Sequence, residues 1–431
     1  MKKQSRSTHN NRPGGMLFSS RTGVFLAVIL TVHVLLSLTY WHYIPYGASP
    51  DEGPHGKYVQ ALSESHRLPV FKVTDRQGYE AHQPPLYYTL GVPFYLLGQK
   101  VGMDQPAEMV RLLSVILGAL SILVVYYAMA SAFPQMEDLA LGAAGFAALL
   151  PTHVILAASV SNDPLMELVF GLGLLILARI IVHGLTWMRS IALGAVLGIG
   201  LITKSTCVLL FPIAVTCYWL AVRRWQFGAS RFFAHLTAAA AIGLLIGGWW
   251  LVRNQLLYGD PLAVSQFERA FAHTPKPEFF LDRGCSIPSY VALVGMWTFA
   301  SFWGVFGHMN IFMPTWLYIL LGVVSGAAMI ASCCQLKQLT KSDVSRRILA
   351  IYAVTVVLTI AAFVEFNIHF FQAQGRYLYP AIVPLSLWWT LGMRGLLPAR
   401  LHSYTVLIAT GVPGLVQIPA LVTCISRMPY Y

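Results

Sequence analysis

Two adjacent carboxylates, Asp51 and Glu52, stand in Ser49-Pro50-Asp51-Glu52-Gly53-Pro54-His55, just beyond an apolar run from Val24 to Tyr40. Neighbouring residues point in different directions on a helix or a strand, so one carboxylate can act on a substrate while the other binds or orients. An acid placed where hydrocarbon gives way to water, against apolar walls, gains affinity for protons, which suits a general base acting on a hydroxyl or amine. The alternative is an acidic helix cap at a membrane exit. A third carboxylate, Asp163, opens an apolar run in Ser161-Asn162-Asp163-Pro164. It fits an N-cap followed by Pro, and it fits equally a group facing the same outer cavity.

Cations of the right kind accompany these acids. Lys204 lies between Thr203 and Ser205 at the junction of two apolar runs, Arg253 follows Trp249 and Trp250, and Arg376 stands in Gln374-Gly375-Arg376-Tyr377. Each alone reads as a snorkelling anchor. Three together on one side, against the usual bias of basic residues, fit an anionic headgroup such as phosphate. Trp249 and Trp250 read as interface anchors, and the stretch from Phe302 to His308 is aromatic and Gly-rich enough to re-enter the membrane or wall a sugar site. His55, His82, His308 and His369 lack metal-site spacing and read as polar neighbours; the six cysteines are equally uninformative.

The elements that must position these residues are membrane helices. The chain has 431 residues, is 56% hydrophobic and 11% charged, and carries a formal charge of +12 with mean hydropathy +0.62. That composition excludes an ordinary soluble domain, and the Lys and Arg residues sit in short loops between apolar spans, so the charge orients the chain and does not recruit nucleic acid. Spans are expected near 24–40, 110–132, 139–158, 164–183, 188–203, 205–222, 235–252, 314–334, 348–365, 378–395 and 402–423, about eleven in all.

The fold class is therefore an all-α polytopic bundle: a basic cytoplasmic tail over 1–22, then a single transmembrane domain over 23–431. Four further basic loops agree with a cytoplasmic N-terminus; the acidic turn Pro134 to Asp138 is the exception. The loops 42–108, 159–164, 253–313 and 366–377 then lie outside, the first holding interfacial helices near 54–66 and 84–97.

These residues resemble the GT-C superfamily of integral-membrane glycosyltransferases, which use polyprenyl-phosphate sugars and include the protein O-mannosyltransferases and the lipid A aminoarabinose transferases. The resemblance rests on Asp51-Glu52, His82-Gln83-Pro84-Pro85-Leu86-Tyr87-Tyr88, Arg111-Leu112-Leu113-Ser114, Asn162-Asp163, Trp249-Trp250 with Arg253-Asn254, and Gln374-Gly375-Arg376-Tyr377. It implies an inverting sugar transfer from a polyprenyl-phosphate donor to a glycan, lipid or protein acceptor, at the outer face of the bacterial inner membrane. In that frame Asp51, Glu52 and Asp163 are catalytic, and Lys204, Arg253 and Arg376 hold the donor phosphate. His82, Gln83, Tyr87, Trp303, Gln374 and Tyr377 bind substrate. No cofactor is assigned with certainty, and a divalent metal ion, which some members use, stays open. The lack of a large soluble C-terminal domain argues against transfer to protein sequons. A transporter or flippase of a lipid-linked saccharide is the competing reading; it calls for charges through the depth of the spans, where this chain is mostly apolar apart from Glu167, Arg179 and a few His residues.

Overall fold

The computed structural model describes residues 20–73, 79–272 and 274–428, so most of the basic tail and Tyr79's side chain lie outside the described residues. The fold is helical throughout, apart from a minimal antiparallel pairing of Val305–Phe306 with Ile311–Phe312. Among the described residues eight helices are long and apolar enough to cross a membrane, or nine if one bent pair counts as a span. These eight match eight of the expected spans.

The other three expected spans take different forms, each for a local reason. Segment 139–158 is two helices, Glu137–Leu149 and Pro151–Ala157, bent by 67°. Pro151 cannot donate a backbone hydrogen bond, and it forces Leu150 into extended geometry (φ −71°, ψ 118°). Segment 188–203 is a helix of 15 residues, Trp187–Leu201. Segment 378–395 begins as a 3-10 turn, Gly375–Ala381, and continues as the 15-residue helix Ile382–Leu396. The sequence reading also missed a helix: Ile287–Gly304 is regular, so only the short turn after it departs from helical structure.

Lipid-facing positions are visible as exposed apolar side chains, among them Leu245, Leu256 and Met188, which would be improbable in water. Small residues let helices approach elsewhere. Gly194 and Gly198 face Gly243 and Gly247 across the Trp187–Leu201 and Ala229–Tyr258 helices, and a Cβ on Gly247 would lie 2.3 Å from the Gly198 carbonyl oxygen. Close packing of this kind is what holds helices together where lipid removes the hydrophobic drive.

Ion pairs explain the acidic turn that broke the charge pattern. Asp138 pairs with Arg394, and Glu137 accepts from the Thr22 hydroxyl, so these acids are matched by groups from segments assigned to the same side. Asp343 similarly gathers Arg224, Arg346 and Arg347. The stretch 42–108 folds largely as expected, with helices Glu52–Ser65 and Leu86–Lys100.

Candidate active site

Helix Glu52–Ser65 starts at Asp51, which adopts the left-handed conformation (φ 62°, ψ 3°). Aspartate tolerates this region better than most residues, yet its side chain makes no capping hydrogen bond to the helix it precedes. It accepts instead from Arg376, Nη2 to Oδ2 at 2.5 Å. Arg376 also points Nη1 at Asp163 Oδ2, 3.5 Å away, and Lys204 Nζ pairs with Asp163 Oδ1. Two cations and two carboxylates from four distant parts of the chain thus form one chain of ion pairs. Asp51 is its accessible acid: its side chain is 34% exposed, against 3% for Asp163.

Each member is held by a local device. Gly375 packs so tightly that a Cβ there would lie 2.3 Å from the Phe302 backbone, and its N–H donates to Ser301 Oγ at 2.8 Å. That contact fixes the turn from which Arg376 projects. Gln374 Oε1 accepts from Arg376 Nε at 2.7 Å and so orients the guanidinium. Asp163 is the first residue of its helix, behind Asn162, so the expected N-cap is displaced by one residue and the carboxylate is left for the cations. Lys204 is set by a break in the helices, after Leu201 and before the turn Ser205–Leu209, and the Leu86 N–H ties this break to the Pro84-Pro85 segment through the Ile202 carbonyl at 2.9 Å.

Glu52 is a correction. It is fully buried beneath the loop, where Oε1 accepts from Arg111 Nε at 2.7 Å and from the Val160 N–H at 3.0 Å, while Oε2 accepts from Arg111 Nη2 at 2.8 Å and the Gly47 N–H at 2.9 Å. With both oxygens doubly occupied it cannot serve as a base or reach substrate; it is a clamp joining the 42–108 loop to the loop that carries Asp163. Tyr87 does the same job: its hydroxyl accepts from the Ser161 N–H at 3.1 Å and pairs with Ser114 Oγ at 2.8 Å. The Arg111 and Ser114 of the second span are therefore the partners of Glu52 and Tyr87.

The ion pairs open onto a cavity of about 400 Å³. Its polar end carries Asp51, Glu80, Asp163, Lys204 and Arg376, with His55, His82, Gln83 and Asn162 beside them. Its other walls are apolar and aromatic, including Leu262, Phe267, Phe271, Phe363, Phe366 and Phe370. Helix Val264–Ala270 supplies Phe267, whose ring sits 4.9 Å from that of His82 and 5.3 Å from that of Phe370.

The sequence of residues 84–250 matches the family model described as dolichyl-phosphate-mannose-protein mannosyltransferase. A comparison with curated proteins finds no match. Among solved structures, apo ArnT from Cupriavidus metallidurans superposes at TM-score 0.56 and 15% identity, covering 95% of this chain and 78% of that one. The same protein bound to undecaprenyl phosphate gives 0.54 and 16%, covering 96% and 78%. The chain shares the fold of this membrane protein. Archaeal oligosaccharyltransferase AglB from Archaeoglobus fulgidus, solved with an inhibitory peptide and a dolichol-phosphate, superposes at 0.51 and 14%, covering 95% of this chain and 56% of that one.

Within this fold the expected site residues divide. Asp51, Asp163, Lys204, Arg376, His82, Gln83 and Tyr377 all line the cavity. Arg253 does not: it lies over the Trp250 ring and donates to the Pro69 carbonyl at 2.8 Å, because helix Ala229–Tyr258 carries it behind the 42–108 loop. Trp303 does not either, being packed among Phe146, Phe302 and Trp389 in the core. Tyr87 and Gln374 act one step back, as described. Among the described residues no group of three or more His, Cys, Asp or Glu side chains is placed to hold a metal ion.

Two acids were not among the expected site residues. Glu80 reaches the cavity from the turn Tyr79–His82; the signal available was an acid two positions before His82 in a loop otherwise aromatic. Glu167 lies one helical turn beyond Asp163 and meets His153 Nε2 at 2.6 Å, both buried. A mid-span acid at that spacing signals a partner inside the bundle.

Proposed function

We propose that this chain is an inverting membrane glycosyltransferase that moves a hexosyl or pentosyl group from a polyprenyl-phosphate donor to a glycan, lipid or protein acceptor. The single observation that carries the reading is the make-up of the cavity, in which aromatic and aliphatic walls lead to Arg376 and Lys204 and to the accessible carboxylate of Asp51. A polyprenyl chain suits the apolar walls, its phosphate suits the cations, and the sugar is left beside Asp51. ArnT with undecaprenyl phosphate and AglB with a dolichol-phosphate bind lipids of this class. The basic loops favour the extracytoplasmic face of the inner membrane for this cavity.

In the reaction the acceptor's hydroxyl or amine attacks the anomeric carbon as the bond from that carbon to the phosphate oxygen breaks. The electron pair leaves with the phosphate, whose developing charge Arg376 and Lys204 stabilise. The acceptor's proton passes to Asp51. The Asp51–Arg376 pair makes these events interdependent: a phosphate that takes Arg376 frees the Asp51 carboxylate from its ion pair. Asp163, engaged by both cations, holds them in place.

The test compares lipid-linked sugars and surface glycans between cells with and without the protein. Accumulated polyprenyl-phosphate sugar with missing glycan decoration is the expected result. Donor trapped on the cytoplasmic leaflet overturns the reading in favour of a flippase.

A further inference from the structure

Four carboxyl groups line the cavity; Glu365 is solvent-exposed beside His369, and of the three at the polar end two use up its cations. Arg376 pairs with Asp51 and Asp163, and Lys204 pairs with Asp163. Glu80 receives neither. Among the described residues its ion-pair-range neighbour is His55, with Nδ1 3.8 Å from Glu80 Oε2, and that nitrogen is also 2.8 Å from the Tyr88 hydroxyl. Glu80 is only 5% exposed, and its Oε2 is buried with no hydrogen-bond partner among the described residues. An ionised carboxylate in that setting is costly, whereas a protonated one is tolerable and has an O–H to donate.

The surroundings agree. Burial first, then the charge of Asp51, push the Glu80 carboxyl up to about 8, with Asp163 adding to the rise and Lys204 and Arg376 opposing it. Burial takes His55 down to about 3, so the imidazole is neutral and lends no positive charge. Tyr58 and Tyr88, the other titratable groups packed here, are both pushed upward by burial and stay neutral. Charge balance then gives this arrangement a use. Two cations and two carboxylates sum to zero, so an arriving phosphate would be repelled by a third carboxylate but would gain a donor from a carboxylic acid.

We propose that Glu80 is a ligand of the lipid-phosphate headgroup, meeting it as a neutral carboxylic acid that donates its O–H to a phosphate oxygen. This rests on the lipid-phosphate reading above. It predicts that headgroup affinity is lost as Glu80 ionises, independently of which sugar the donor carries.

Binding of undecaprenyl phosphate to the purified full chain, followed by native mass spectrometry at about pH 6.5 and about pH 9, tests it in the wild type, Glu80→Gln and Glu80→Ala. The lipid's own phosphate titrates identically in all three. Wild type and Glu80→Gln should bind alike at the lower pH; at the higher, wild type should fall about tenfold below Glu80→Gln, because the protonated fraction falls by about that factor. Glu80→Ala should bind weakly at both. Parallel profiles for wild type and Glu80→Gln, or wild-type affinity in Glu80→Ala, overturn the assignment. If neither variant folds, the wild type alone decides: flat affinity from about pH 7.5 to about pH 9, where a phosphate monoester is already a dianion, overturns it. Folded wild type that binds no undecaprenyl phosphate at all removes the lipid-phosphate reading itself, and this assignment with it.

Discussion

Arg376 reaches across 325 residues of chain to place Nη2 2.5 Å from Oδ2 of Asp51. This pairing links the 42–108 loop to the turn before the Ile382–Leu396 helix, and it is the contact on which the proposed chemistry turns. Because Asp51 is the N-cap residue of Glu52–Ser65 without capping it, its carboxylate contributes little to that helix.

Asp51→Asn should therefore separate chemistry from folding. The amide keeps the size and most hydrogen bonds of the acid but accepts no proton, so turnover should fall by about a hundredfold or more. Expression and melting temperature should hardly change. Wild-type turnover by purified Asp51→Asn would remove Asp51 as the base.

At the cationic end, Arg376→Gln and Lys204→Gln should each weaken undecaprenyl phosphate binding by about tenfold or more. Arg376→Lys should recover only part of it, because a single ammonium cannot bridge Asp51 and Asp163 as the guanidinium fork does. Titration of the purified variants with the lipid gives the comparison; unchanged affinity in both Gln variants would take phosphate binding away from these residues.

The Glu52–Arg111 pair should behave in the opposite way to Asp51. Arg111→Met leaves a buried carboxylate without its cation and should cost about 3–5 kcal/mol, with activity lost through unfolding. Removing both charges at once, as Glu52→Gln with Arg111→Met, should be milder than the sum of the single changes. Thermal melting of the three variants in detergent measures this. A catalytic Glu52 would show instead as normal melting with lost turnover in Glu52→Gln.

Stability should depend on pH through His55 and Glu80 with opposite signs. His55 is lowered from 6.5 to about 3 on folding, so below pH 6.5 the unfolded chain binds the extra proton, and stability falls as pH drops through that window. Glu80 is raised from 4.5 to about 8, so the folded chain binds the extra proton between those values, and stability falls as pH rises through them. The two effects offset each other between 4.5 and 6.5. Glu80→Gln should abolish the alkaline loss, measured as melting temperature from about pH 6.5 to about pH 8, and His55→Gln should abolish its share of the acid loss. An unchanged alkaline limb in Glu80→Gln would show that Glu80 is not the group responsible.

Apolar run length and the placement of Lys and Arg are local properties, so the sequence by itself determined that the chain is a polytopic helical membrane protein and located eight of its long apolar helices, while the breaks in the other three expected spans came from the structure. It also marked Asp51, Asp163, Lys204 and Arg376, because charged residues at the edge of an apolar run are costly enough to need a reason. Type and position could not say which charge meets which. Asp51 and Glu52 look equivalent as neighbours, yet the left-handed turn at Asp51 sends one carboxylate to the cavity and lets the helix carry the other down onto Arg111. Arg253 and Arg376 were alike in sequence; helix Ala229–Tyr258 puts the first against Pro69, and the Gly375 contact with Phe302 aims the second at Asp51. Whether a carboxyl ends as base, clamp or neutral acid is set by desolvation and by the partners within a few ångströms, and for Asp51, Glu52 and Glu80 those partners come from elements far away along the chain, which only tertiary packing brings together.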